Sequence, residues 1–457
     1  MYAQPTITAH RQSAPRVAYV TLGTMAVFGL FAFYGPSLTF LGQLRIVEVI
    51  LLGLLFAKFL VAVRVPNRLE WWLLSLTIFT AIVFAGVGWW LESPQSAIIL
   101  RAGSYLVMAA MLLSMMQLSH FKPNYLIAII LGYCASYVTC WFFFSQYLPN
   151  GDTYALVPWR LGLGFAATWA ILCLIVVFPR LYPMVLPLML VATVIHVVLG
   201  ARSLGLATLA CGILSAFAAR ASTDRVGPFR LSKVIFVCIL ALAFAWAALE
   251  VAVIAAEAGL LPEEMTTRML RQYYSENGIL LSARAPNYVA AVGIIERPIL
   301  GFGPGNSDAE LSTLYAQLSA ENNSDGLNTD AFLDTYLEEE LGTVIPSHSH
   351  VLGAWIEAGI VGGLYWMFIM AIVVYVMVRS LKFKNPWVPM YLFLSMTTLL
   401  DIVFSPGPHR VDIALRIVVF LFAIRQFQIY DSYAAANRSG AQRGSIHYGR
   451  GPTSFRT

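Results

Sequence analysis

The sequence predicts an all-α integral membrane protein of about 12 transmembrane helices, with one large, partly helical periplasmic loop between helices 9 and 10. Three observations carry that expectation. The chain of 457 residues is 59% hydrophobic and 12% charged, about half the charged share of a soluble domain. Its mean hydropathy is +0.72. Apolar runs of about 17–25 residues, the length that crosses a bilayer, recur along most of the chain. Together these exclude a water-soluble enzyme, a disordered chain and a fibrous repeat. The net charge of +5 is modest; it fits membrane orientation better than nucleic-acid binding, and no nucleic-acid partner is expected. The five cysteines (Cys134, Cys140, Cys173, Cys211 and Cys238) lie inside apolar runs, with neither zinc spacing nor a disulfide framework. They read as small core residues.

Residues 1–16 are polar and contain Pro5, Arg11, Pro15 and Arg16. No short apolar run ending in a small-residue cleavage site is present there, so the first hydrophobic stretch is expected to be a retained span behind a cytoplasmic segment. Spans are expected at 17–35, 46–63, 71–91, 97–117, 125–148, 161–178, 184–200, 203–219 and 234–258. Residues 260–350 then form the loop, and three more spans follow at 351–378, 387–405 and 411–427. The polar tail 428–457 is expected to be cytoplasmic and disordered. Orientation follows Lys and Arg in the short loops. With the N-terminus inside, Arg64, Arg68, Lys122, Arg180, Arg220, Arg225, Arg230, Lys233, Arg379, Lys382 and Lys384 are all cytoplasmic, and the large loop is outside. In that loop, Pro262 followed by EEMTTRMLRQYY predicts an amphipathic helix, and PNYVAAVGII, opening at Pro286, predicts another. No internal repeat suggests a transporter built of two halves.

Cations on the outer side are costly and therefore informative. Outside the loop they are Arg45, Arg101, Arg160, Arg202 and Arg410, with Arg416 deeper. Every one is an arginine, the side chain that forks onto phosphate and stays charged in a low dielectric. The plain reading of any one is snorkelling to headgroups or pairing with a carboxylate. For the set, a shared anionic ligand explains more. Arg416 has Asp412 four residues earlier on the same helix face to neutralise it. Residues 298–378 contain no Lys or Arg, while Asp308, Glu310, Glu321, Asp325, Asp330, Asp334 and Glu338 to Glu340 make an acidic lobe. That lobe is either a solvated face or a rim facing sugars. No metal-ligand spacing is seen, and neither a metal nor a cofactor is expected. GFGPGN at 301–306 is a tight glycine turn without the Lys-Ser/Thr of a Walker loop. PSHSHVLGAWIEAGIVGG follows at 346–363. It brings His348 and His350 to the start of a span, Glu357 two turns in, and Gly359, Gly362 and Gly363 for close helix packing. Histidine can take a proton near neutral pH.

Three of these stretches, in this order, resemble the O-antigen ligase and O-antigen polymerase superfamily of bacterial envelope glycosyltransferases. They are Ala201, Arg202 and Ser203 at the outer start of a middle span; SARAPNYVAAVGIIERPILGFGPGN, with Arg284 ahead of a Pro-x-x-Gly-x-Gly turn; and His348 nine residues before Glu357 and Gly359. His350 does not fit that spacing, and Ser349 stands where the family often has Asn. The resemblance covers about 200–430; the earlier spans match in number and length. It implies a metal-independent, inverting transfer of a sugar chain from undecaprenyl diphosphate at the periplasmic face of the bacterial inner membrane. The expected partners are the lipid-linked oligosaccharide donor, a glycan or lipid A–core acceptor, and membrane lipids. Arg202 and Arg284 would stabilise the departing diphosphate, and His348 would take the acceptor proton. Arg101, Arg160 and Arg410 are expected as further phosphate or lipid contacts. His350 is expected on the acceptor side or in packing, and Glu357 either tunes the histidine or packs. A polymerase is expected ahead of a ligase, since no acceptor signature is visible. A lipid-linked oligosaccharide transporter comes third, because the charges cluster outside rather than at the midplane.

Overall fold

The computed structural model describes residues 21–32, 37–38, 44–61, 66–144, 159–199, 201–220, 253–259, 278–323, 347–383, 385–404 and 410–448, with residues 250, 266–267, 270, 273–274 and 345. These are almost entirely helical. A two-residue antiparallel pairing of Ser37–Leu38 with Leu44–Arg45 joins α1 (Leu22–Ala32) to α2 (Ile46–Val61). Next come α3 (Arg68–Trp90), α4 (Gln95–Ser119) and α5 (Pro123–Phe144). A π turn at Trp159–Leu163 leads into α6 (Gly164–Val177), and a 3-10 turn at Pro179–Met184 leads into α7 (Val185–Val198). After α8 (Arg202–Arg220), α9 (Gly278–Glu296) and α10 (Ala309–Asn323) lie in the expected loop. The chain ends with α11 (His350–Ser380), α12 (Val388–Phe404) and α13 (Arg410–Tyr448). Among the described residues six helical stretches are long and apolar enough to cross a membrane: Arg68–Trp90, Gln95–Ser119, Pro179–Val198, Arg202–Arg220, His350–Ser380 and Arg410–Ser432. This is the architecture of an α-helical membrane protein.

The sequence explains the arrangement locally. Residues 411–424 of α13 are apolar on every face apart from Asp412 and Arg416, and a helix of that kind is stable only when surrounded. It is surrounded: α4, α11 and α12 pack around it, and nearly every residue from Val411 to Ile424 is buried. The outer helices invert the pattern of a soluble bundle. Trp71, Trp72, Phe79 and Ile82 of α3 and Ile99 of α4 are more than half exposed, an apolar exterior suited to lipid. Turns come where caps allow. Asn67 Oδ1 accepts the Glu70 amide at 2.9 Å while Glu70 returns a bond to the Asn67 amide, a capping box that starts α3. His120 closes α4 in the left-handed region, two residues before Lys122 and Pro123.

Each predicted span contains described helical residues, though of the ninth, 234–258, only residues 250 and 253–258 are described. Three expectations differ from what is found. The last helix does not stop near Phe427: residues 428–448 of the tail expected to be disordered continue α13. A helix already nucleated in the bundle extends at little cost, and Ala434, Ala435 and Ala436 favour it. The loop helix expected to open at Pro286 begins eight residues earlier and runs through the proline. One lost backbone bond is outweighed there by burial of Ala285, Val289 and Ala290. Val289 and Ala290 join Phe302, Leu311, Ile345 and Ile356 in a second small core beside the main bundle. The third concerns the glycines of α11 and belongs to the site.

Candidate functional site

Helix α11 breaks at Ala358 and Gly359, where φ reverses to +60°. A break exposes backbone groups that must find partners. The loop after α9 supplies them: the Phe302 amide donates to Ile356 O at 2.7 Å and the Ile360 amide to Ile299 O at 3.1 Å. Trp355 Nε1 adds a bond to Pro298 O at 2.8 Å. Only glycine fits at 359, because a Cβ there would lie 1.8 Å from Ile299 O. Gly359 therefore serves a docked loop rather than the helix–helix packing expected from the sequence. Gly362 and Gly363 give way to Ala354 O and the Trp355 ring of the displaced turn. GFGPGN is the tight turn its glycines suggest. Gly301, Gly303 and Gly305 all have positive φ and press against Ile356 O, Ser93 and Ala97. Asn306 locks the turn with bonds to Phe302 O at 2.7 Å and Leu91 O at 3.3 Å. The loop thus bridges α11 and the α3–α4 corner.

The histidine turn sits just before this break. Ser349 caps α11, accepting the Leu352 amide at 3.2 Å and donating to Ile402 O at 3.0 Å. Serine and asparagine cap equally well, so Ser349 does the structural work an asparagine there would do. The His348 amide donates to Asn287 Oδ1 at 2.8 Å, and Asn287 Nδ2 donates to Val403 O at 3.3 Å. One side chain of α9 therefore fixes both the histidine turn and the end of α12. Arg284 occupies the position one turn before Asn287 on the same helix; its side chain lies outside the described residues. His350 points elsewhere. Its ring stacks on Trp366 at 4.3 Å and 21°, and its buried Nε2 has no hydrogen-bond partner among the described residues. Trp366 Nε1 in turn donates to Tyr105 at 3.0 Å.

The arginines fall into pairs. Arg101, expected to contact phosphate or lipid, and Glu357, expected to tune the histidine or pack, are bonded to each other at 2.8 Å, with Arg101 half-exposed and Glu357 buried. Arg410 meets buried Glu48 at 3.4 Å. Arg416 is held by Asp412 at 2.7 Å and by Asp401 at 2.5 Å, with its guanidinium 4.7 Å over Phe165. His196 ties together the residues that immediately precede Arg160 and Arg202. Its ring accepts from Trp159 Nε1 at 3.1 Å and meets Thr168 Oγ1 at 2.8 Å, while its carbonyl accepts the Ala201 amide at 2.7 Å. The side chain of Arg160 lies outside the described residues. Half-buried Arg202 opens α8, which packs on α12, where Cys211 Sγ donates to Pro389 O at 3.2 Å. Helix α12 packs against both α8 and α11.

Three contributors escape a reading by sequence. Asn287 is one polar residue in a helix turn; the signal was its i+3 spacing from Arg284. His196 and Asp401 are polar residues inside apolar runs, VATVIHVV and LLDIVF, and that placement alone marks them as partnered. The acidic residues 325–340 lie outside the described residues. Asp308 caps α10 by accepting the Glu310 and Leu311 amides, each at 3.1 Å. Among the described residues no three His, Cys, Asp or Glu side chains gather closely enough to hold a metal ion. No protein-family model matches the sequence, and no curated protein matches it either.

Proposed function

We propose that this chain is an inverting, metal-independent glycosyltransferase that moves a sugar chain from undecaprenyl diphosphate to an acceptor hydroxyl, working as a polysaccharide polymerase. In this reading it crosses the bacterial inner membrane about twelve times, with both termini in the cytoplasm and residues 260–350 in the periplasm. The observation that carries the reading is the anchorage of the His348 turn by Asn287, one turn from Arg284. Arg101, near the start of α4, is bonded to Glu357 two turns into α11, and Arg202 and Arg410 open α8 and α13.

The chemistry asks for few groups. His348, neutral at the start, takes the acceptor hydroxyl proton as that oxygen attacks the anomeric carbon from the face opposite the diphosphate. The carbon–oxygen bond to the diphosphate breaks, and the bonding electrons leave with undecaprenyl diphosphate. Arg202 and Arg284 offset the charge that develops there. The imidazolium then returns its proton to water. Arg101 acts with Glu357 as a bonded pair, so its expected contact with phosphate is shared with a carboxylate. The purified protein, incubated with lipid-linked repeat units, should yield a ladder of longer lipid-linked chains on donor alone. A product formed only when lipid A–core is added would replace the polymerase by the ligase. Absence of any new glycosidic bond under both conditions would refute the glycosyltransferase reading.

A further inference from the structure

At the opposite end of the bundle, the start of α3 and residues 421–428 of α13 enclose a cleft of about 400 Å³. Arg68, Leu69, Trp72, Leu421, Arg425 and Gln428 line it. The two arginines differ. Arg425 pairs with buried Glu70 at 2.5 Å and lies 4.0 Å over the Phe121 ring, and its buried Nε has no partner among the described residues. Arg68 is exposed and makes no ion pair among the described residues. Two arginines against one carboxylate leave a net positive charge in a cleft whose other walls are largely apolar. The amides at the start of α3 are not the source of attraction, because Asn67 and Glu70 already cap them.

The position restricts the occupant. Arg68 is the first residue of one membrane-length helix, and Arg425 lies seven residues before the end of the membrane-length stretch Arg410–Ser432 of α13. The cleft therefore lies where hydrocarbon gives way to headgroups. Trp72, 63% exposed, borders it, and Phe79 and Ile82 continue an exposed apolar strip along α3. Tryptophan at that level is the usual interfacial anchor. A cationic cleft joined to an apolar strip matches a molecule with a phosphate at one end and acyl chains at the other. We infer that this cleft binds an anionic phospholipid, with its phosphate between Arg68 and Arg425 and a chain along Trp72, Phe79 and Ile82. The inference is independent of the function proposed for the other end.

The test uses the full-length protein in phosphatidylcholine nanodiscs, with and without phosphatidylglycerol, and reads the melting temperature and the phospholipid retained in native mass spectrometry. Phosphatidylglycerol should raise the melting temperature and stay bound. Arg68→Ala should weaken its binding about fivefold, the effect of one arginine near a charged surface, while leaving melting in phosphatidylcholine unchanged. Arg180→Ala, an exposed arginine on another turn, should bind as wild type does. Equal retention of the two lipids, or wild-type binding by Arg68→Ala, would overturn the inference. Full protection by inorganic phosphate alone would also overturn it, by assigning the cleft to the free ion.

Discussion

Two ends of one helical bundle are tied by the same kind of bond. At one end buried Glu70 meets Arg425 at 2.5 Å and Asp431 meets Arg379 at 2.6 Å. At the other, Glu357 meets Arg101 and Asp412 meets Arg416. Ion pairs alone therefore do not separate a working end from a structural one. What separates them is the backbone. Near Glu70 and Arg425 the helices run unbroken, and their polar groups are satisfied within each helix or by the cap of α3. Near Glu357 helix α11 is interrupted, and its freed groups are handed to a loop that arrives from outside the bundle. An interrupted helix inside a membrane-length segment is tolerated only where protein or a cavity covers it. Here the covering loop also follows α9, whose Asn287 holds the His348 turn.

The largest effect should come from the break itself. Gly359→Ala combines a positive φ with a Cβ placed 1.8 Å from Ile299 O, and should cost about 4 kcal/mol or more. Thermal melting in detergent should fall sharply, and proteolysis should open the segment 297–306. Gly103→Ala, in open space on α4 at the same end, should be tolerated. Equal melting of the two variants would mean that the loop is not docked as described. At the other end Arg425→Ala should cost about 3 kcal/mol, because it leaves the Glu70 carboxylate buried without its cation. Adding Glu70→Gln should recover part of the loss. Sugar transfer per folded molecule should be unchanged, and a loss of transfer beyond the loss of fold would erase the distinction between the ends.

Much of this was legible in the residues. Membrane-length helices follow from apolar runs and sparse charge, and the Arg416–Asp412 bond follows from four-residue spacing. GFGPGN announced a turn because three glycines admit positive φ. Partners distant in sequence were hidden. Nothing local says that Glu357 will neutralise Arg101 some 250 residues away, or that Gly359 faces a loop carbonyl rather than a helix. The sequence separation of such contacts leaves no periodicity to read. The same limit applies to Asn287, whose role depends on two backbone groups, one on His348 and one on Val403, each more than 60 residues away.

The assignment of the working end rests most heavily on one histidine. Transfer from lipid-linked donor should be measured for His348→Ala and His350→Ala in the same membrane preparation, alongside binding of the donor lipid. His348→Ala should lose about 10²–10⁴-fold in rate, the usual contribution of a general base, with donor binding largely retained by the arginines. His350→Ala, which removes a stack on Trp366, should lose far less. Wild-type transfer by His348→Ala together with a dead His350→Ala would contradict the assignment and move the base to the buried ring.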